Sequence, residues 1–232
     1  MNFPVDAHWV TIAPGYDGWL ALPPAGHGPG LLLFQEIFGV NPHIRAVAEQ
    51  YALDGFVVLA PDVFWRQQAR VELGYEGGDW QRARELMMGC RPDDLVADIG
   101  TASRWLRGHA TVGGARVGAV GYCMGGRLAY LAAATAGVDA AAPFYGGGIH
   151  QQLERVKSIA CPMQFHYAGH DDHIPPEAVD SVRQAFAGKA AEVHVYPGSM
   201  HGFNCWSRAS YHAPSAALAH GRTLQFLAQH LF

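Results

Sequence analysis

The sequence predicts an α/β fold, a doubly wound and mostly parallel sheet with helices on both faces. Three observations carry this. Short continuous apolar runs such as "GLLLF" and "FVVLA" have the composition of strands buried on both faces. From residue 30 onward such runs alternate with segments of helical periodicity, which implies a parallel sheet joined by right-handed crossovers. Half of the 232 residues are hydrophobic and 16% are charged. That supports one large core, so residues 1–232 read as a single domain.

Each element has a local reason. "HWVTI" and "WLALP" alternate apolar and polar residues around "PGYDG", which reads as a hairpin. "GLLLFQE" follows as a buried strand. Asn41 then supplies an N-cap and Pro42 a first helical residue. Ile44, Val47, Ala48, Tyr51 and Ala52 recur at helical spacing until Gly55 stops them. "FVVLAPDVF" is a strand broken by Pro61, and residues 62–78 form a long excursion. Two helices, "DWQRARELMM" and "PDDLVADIGTASRWL", come next, then the strand "ARVGAVGY" and the helix "GGRLAYLAAATA". "VDAAAPFYG", "PMQFHYAG" and "AEVHVYPG" read as strands, with the helix "PEAVDSVRQAFA" between the last two. "PSAALAHGRTLQFLAQHL" is the final helix.

The composition also argues against several functions. A net charge of −4 without a basic stripe does not suit nucleic acid as the main partner. The N-terminal stretch has no Lys or Arg before Arg45 and no continuous apolar core, so it makes a poor signal peptide. "LAYLAAATAGVDAAAPFYGGG" is only weakly apolar and carries Asp139 and Pro143, so no membrane span is expected. The four cysteines are widely spaced without a C-x-x-C pair, which suits neither a disulfide scaffold nor a structural zinc site. A reducing cytoplasm is the expected location.

The chemistry centres on "VGYCMGGRLAY", Val120 to Tyr130. Cys123 lies in G-x-C-x-G-G where a strand passes to a helix, the context of a nucleophile elbow. Small residues are needed there because the turn packs tightly between sheet and helix. The helix N-terminus would favour a thiolate and a developing oxyanion. The competing reading is that Cys123 is simply a small buried residue, common for free cysteine. Downstream residues favour the nucleophile. An elbow enzyme needs an acid and then a histidine, each after a later strand. Asp171 and Asp172 follow "FHYAG", and His201 follows "VHVYPG".

"FQEIFGVN", "GYCMGG", the D-x-x-I-P of "DDHIP" and "HGF" occur in that order. Together they resemble the dienelactone hydrolase family, cysteine hydrolases of the α/β-hydrolase fold, from about residue 20 to the C-terminus. By that resemblance Cys123 is the nucleophile, His201 the base and Asp171 the residue orienting the histidine. Asp171 is preferred over Asp172 because the family's aspartate stands four residues before a proline, here Pro175. The resemblance places the oxyanion hole at the N–H groups of Met124 and Ile37. Only Met124 also follows from the general elbow rule. Glu36 is costly to bury unpaired, so either its strand has ended or it has a partner. In the family this glutamate contacts the resting thiol and helps convert it to thiolate.

Other residues carry weaker expectations. His166, His170, Asp171, Asp172 and His173 lie close in sequence, but a strand and a turn would scatter them, so no metal site is expected. Gly146 to Gly148 could cradle an anion or simply form a loop. Arg82 is the candidate clamp for a substrate carboxylate; its alternative is a solvated helix arginine. A second family arginine, a few residues after the histidine, is replaced here by Asn204 and Cys205, which weakens dienelactone itself as a substrate. Phe38 and Trp206, with Phe64 and Trp65, are candidates for an apolar pocket or for core. The expected function is cofactor-free hydrolysis of small esters or lactones through an acyl-thioester. The alternative, from another class, is a non-catalytic protein that binds or senses through the Cys123 thiol.

Overall fold

A computed structural model describes residues 5–232; the first four residues of the N-terminal stretch lie outside the described residues. The chain opens with the antiparallel hairpin β1 (Asp6–Ala13) and β2 (Tyr16–Leu22), in which Trp9 and Trp19 pair across the strands. Then come β3 (Gly30–Phe34), α1 (Pro42–Leu53), β4 (Val57–Pro61), α2 (Gly78–Met88) and α3 (Pro92–Gly108). β5 (Val117–Tyr122), α4 (Met124–Thr135) and β6 (Ala140–Phe144) form the centre. β7 (Met163–His170), α5 (Pro176–Ala185), β8 (Ala191–Met200) and α6 (Ala213–Leu231) complete the chain.

The eight strands form one sheet in the order β1-β2-β4-β3-β5-β6-β7-β8, parallel from β4 to β8. α3 and α4 pack together against the central strands. α1 and α6 adjoin one another through Tyr51 and His220. Every residue of β3, β4, β5 and β6 is buried, which accounts for their unbroken apolar runs. β3 lies between β4 and β5, so the chain leaves β3 to one side and returns on the other. That reversal opens a crevice beyond the C-terminal ends of β3 and β5.

Two details differ from the sequence reading, each for a physical reason. β3 ends at Phe34, so Gln35 and Glu36 stand beyond the sheet, although both remain buried. β8 continues past Pro197 to Met200 and bulges there, Ala168 pairing with Tyr196 and His170 with Met200. Proline has no N–H to donate, and the bulge absorbs the gap in the ladder. At Gly169 a Cβ would come 2.5 Å from Pro197 Cα.

The excursion over 62–78 is ordered by buried polar groups. Asp62 accepts from the N–H groups of Phe64 and Arg70. Asp98 accepts from Trp65 Nε1 and from Arg66 at 3.0 Å. Asn41 caps α1 by accepting from the Ile44 N–H at 3.1 Å and donates to the Leu73 carbonyl and the Tyr75 hydroxyl, each at 3.0 Å. One side chain thus anchors both the helix start and the end of the excursion. Asn41→Ala should therefore lower unfolding stability by about 2 kcal/mol, at the upper end for a lost cap. A urea midpoint unchanged from wild type would show that the cap and the two further bonds contribute nothing net.

Candidate active site

Cys123 connects β5 to α4 with φ 57° and ψ −115°, a left-handed conformation that a side-chain-bearing residue adopts only when its surroundings enforce it. The surroundings here are backbone. A Cβ on Gly121 would lie 2.0 Å from the Gly125 carbonyl oxygen, and one on Gly125 would lie 2.2 Å from that of Phe34. The Cys123 N–H donates to the Phe144 carbonyl at 3.1 Å, tying the turn to β6. Met124 is the first residue of α4, where helical N–H groups have no intrahelical acceptor. Ile37, beyond β3, lines the same cleft as Cys123 and Met124.

Strand register brings the histidine and aspartate together. His170 pairs with Met200 at the ends of the parallel strands β7 and β8. The next residue on each strand is Asp171 and His201. Their side chains meet at 2.8 Å between Oδ2 and Nδ1, and both are buried. The other Asp171 oxygen accepts from the N–H groups of His173 and Ile174 at 2.9 and 3.2 Å, which fixes the carboxylate. Asp172 is exposed and takes no part in this pairing. Among the described residues His201 Nε2 has no hydrogen-bond partner, and the ring lines the cleft with Cys123. Burial alone would lower the imidazole pKa. The Asp171 bond and the neighbouring Cys123 sulfur outweigh it and raise the value to about 10.

Glu36 has the partner its burial demands. Its Oε1 accepts from Arg208 Nη1 at 2.9 Å, with side-chain exposures of 1% and 11%, while among the described residues its Oε2 has no partner. Burial works against the Arg208 charge, but Glu36 more than offsets it, so the guanidinium stays charged. Arg208 also lies over the rings of Trp80 and Phe38, at 5.3 and 5.9 Å from their centroids. Cys205 is buried beside this pair, and burial together with the Glu36 charge pushes its thiol up to about 12. The same logic holds His43 neutral: burial and then Arg208 lower it to about 4.

The cleft at Cys123 has a volume of about 440 Å³, and Phe38, Trp80, Arg84, Met87, Arg127 and Arg208 form much of its wall. Two expected lining residues are elsewhere. Arg82 is exposed and bonds Gln68 at 3.0 Å and Glu85 at 3.4 Å. Positions two apart on a helix point to nearly opposite faces, and in α2 it is Arg84, with Trp80 and Met87, that faces the cleft. Trp206 is 44% exposed and packs edge-on against His43, with centroids 4.2 Å apart, outside the cleft. Phe64 is wholly in the core, and Trp65 stacks on Tyr16. Phe38 does line the cleft, as do Gly147 and Gly148 of the glycine run.

His166 is buried in β7 and bonded to Tyr196, Gln164 and Thr223, remote in role from the loop histidines. Sequence reasoning missed Arg208, which stands seven residues after His201 and delivers a guanidinium where Asn204 and Cys205 seemed to leave none. Only the loop folding back over β3 could reveal it. It also missed Tyr145, whose φ is 35° and whose buried ring lies 5.0 Å from that of His201.

Removing one member of a buried ion pair strands the other. Arg208→Met should destabilise the protein by about 3–5 kcal/mol, and adding Glu36→Gln should recover a large part of that loss. Chemical denaturation of the two single variants and the double variant measures this coupling; additive losses would mean the pair is not coupled.

Comparison with known proteins agrees with this architecture. The model of the dienelactone hydrolase family matches residues 16–231. A carboxymethylenebutenolidase of Pseudomonas putida is 34% identical over 208 residues, covering 89% of this chain and 88% of that protein. Another, from Pseudomonas sp. strain P51, is 35% identical over 211 residues, covering 90% and 87%. A crystal structure from Klebsiella pneumoniae superposes with a TM-score of 0.85 at 29% identity, covering 97% of this chain and 99% of that one. A dienelactone hydrolase from Anabaena variabilis, at 17% identity and a TM-score of 0.71, shares the fold. With its family model spanning the sheet from β2 to the last helix, this chain belongs to the dienelactone hydrolase family.

Proposed function

We propose that the protein hydrolyses small carboxylic esters or lactones, with Cys123 as nucleophile, His201 as base and Asp171 orienting the base. The observation that carries this is the division of labour on one imidazole. Nδ1 is held at 2.8 Å by a buried carboxylate, while Nε2 is left without a partner in the cleft that Cys123 lines. A histidine so arranged presents one nitrogen for proton transfer in a fixed orientation.

In the proposed cycle His201 Nε2 holds the thiol proton as an imidazolium, the form its raised pKa favours, and Cys123 Sγ attacks the carbonyl carbon as the thiolate. The tetrahedral oxyanion is held by the N–H groups of Met124 and Ile37. The C–O bond to the leaving alkoxide then breaks, and the alkoxide takes the proton from His201. Water, deprotonated by His201, attacks the resulting acyl-thioester, and collapse returns the thiol and the free acid. A lactone gives the same steps, with the alkoxide remaining tethered to the acyl group. Glu36, poised with one free oxygen, would assist thiol ionisation when a substrate anion competes for Arg208. Arg84 takes the substrate-carboxylate role expected of Arg82. The four free thiols suit a reducing compartment, and the cytoplasm is the proposed location. No helix among the described residues is long and apolar enough to cross a membrane.

Cys123→Ala should lower kcat/KM on p-nitrophenyl acetate and on simple lactones at least about a thousandfold. Iodoacetamide should inactivate in step with labelling of Cys123. Hydrolysis that survives complete labelling would move the chemistry to another residue. The raised histidine gives a second check. An imidazolium whose pKa rises from 6.5 to about 10 on folding contributes stability that is complete below about pH 6.5 and lost as pH climbs toward 10. Asp171→Asn should flatten that part of the stability–pH curve, as read by thermal melts from pH 6 to 10. Unchanged curvature would mean that Asp171 does not set the charge of His201.

A further inference from the structure

The cleft wall holds three guanidinium groups, on Arg84, Arg127 and Arg208, and no carboxylate among its lining residues. Arg208 already has Glu36. Among the described residues neither Arg84 nor Arg127 makes an ion pair or a side-chain hydrogen bond. Arg127 is half-buried, one turn along α4 from Cys123, with its backbone N–H directed at the Cys123 carbonyl at 3.4 Å. Its side chain runs along the glycine loop after β6. Gly148 there has φ 82°, and a Cβ on it would stand 3.4 Å from Arg127 Nη1, so the loop leaves the guanidinium uncrowded. His150 and Gln151 follow on the same loop and also line the cleft. A partly desolvated guanidinium without a counter-ion is stabilised by any anion that reaches it, and its planar fork matches a carboxylate.

We propose that Arg127, flanked by Gln151 and His150, is a second anion subsite, and that the preferred substrate is an ester or lactone carrying two carboxylates. One carboxylate engages Arg84 on α2 and the other engages Arg127 on α4. The inference rests on the hydrolase reading but concerns only which acyl compounds the cleft selects. The two arginines project from different elements into the cleft that Cys123 lines, so they hold a substrate at two points. A monocarboxylate can satisfy only one of them.

Calorimetric titration of succinate, glutarate and adipate, with butyrate as the single-charge reference, tests the subsite without turnover. At least one diacid should bind the wild type about 10- to 100-fold more tightly than butyrate, the range for a charge-assisted bidentate contact. Arg127→Gln should erase that margin and Arg127→Lys should keep part of it, with circular dichroism verifying the fold of each variant. Equal binding of diacids and butyrate by the wild type would overturn the proposal, and that result needs no variant. So would a Gln variant that weakens both acids by one common factor. Turnover of 4-nitrophenyl butyrate, measured in parallel, reports the hydrolase reading separately. Diacid preference without turnover would fault the chemistry, whereas turnover without diacid preference would fault the subsite.

Discussion

The contact between the first turn of α4 and the end of β3 constrains everything around the cleft. At Gly125 the helix backbone approaches so closely that a single added carbon would lie 2.2 Å from the Phe34 carbonyl oxygen and 2.5 Å from that of Gln35. No side chain fits between them. The helix therefore starts hard against the sheet, and the residue before it must turn through a left-handed conformation. Because β3 and β5 are neighbours, the same approach sets Cys123 in one cleft with Ile37 and Phe38, which follow the end of β3. The backbone strain at Cys123 is thus a consequence of packing and is sustained by it.

A second constraint acts at the other end of the sheet. Parallel pairing of β7 with β8 is carried past a bulge so that His170 and Met200 come level. The imidazole and carboxylate of the following residues then meet without any loop having to find them. Two backbone N–H groups fix the Asp171 oxygen that does not face the ring. The carboxylate is therefore held in place, a condition under which a buried carboxylate can raise an imidazole pKa against the cost of burial.

Charge is handled differently on the two sides of the cleft. Glu36 and Arg208 neutralise each other under Trp80 and Phe38, so a deep carboxylate is tolerated and its second oxygen stays available. Among the described residues Arg84 and Arg127 have no such partner, and the cleft consequently presents net positive charge to what enters it. Positive lining walls of low polarity draw anions and hold them more strongly than open solvent would.

Much of this was legible in the sequence. Strands buried on both faces must be apolar throughout, helices must repeat every three to four residues, and Asn41–Pro42 and the elbow glycines are local requirements of one turn each. Those rules place every strand and α-helix of the described residues but not the two 3-10 helices, Ile149–Gln151 and Leu153–Ser158, and they place Cys123, Asp171 and His201 after strands of the sheet. The side chains that shape the cleft were not legible to the same degree. Arg82 and Arg84 differ only in helical phase, which the ends of α2 and its docking against Phe38 decide. Arg208 reaches Glu36 across 172 residues of sequence, and Trp206, two residues earlier, turns away to His43. Local pattern determines which element a residue joins, because it depends on bonds to near neighbours. Which face of that element meets the cleft depends on how distant elements pack, and only the tertiary structure decides it.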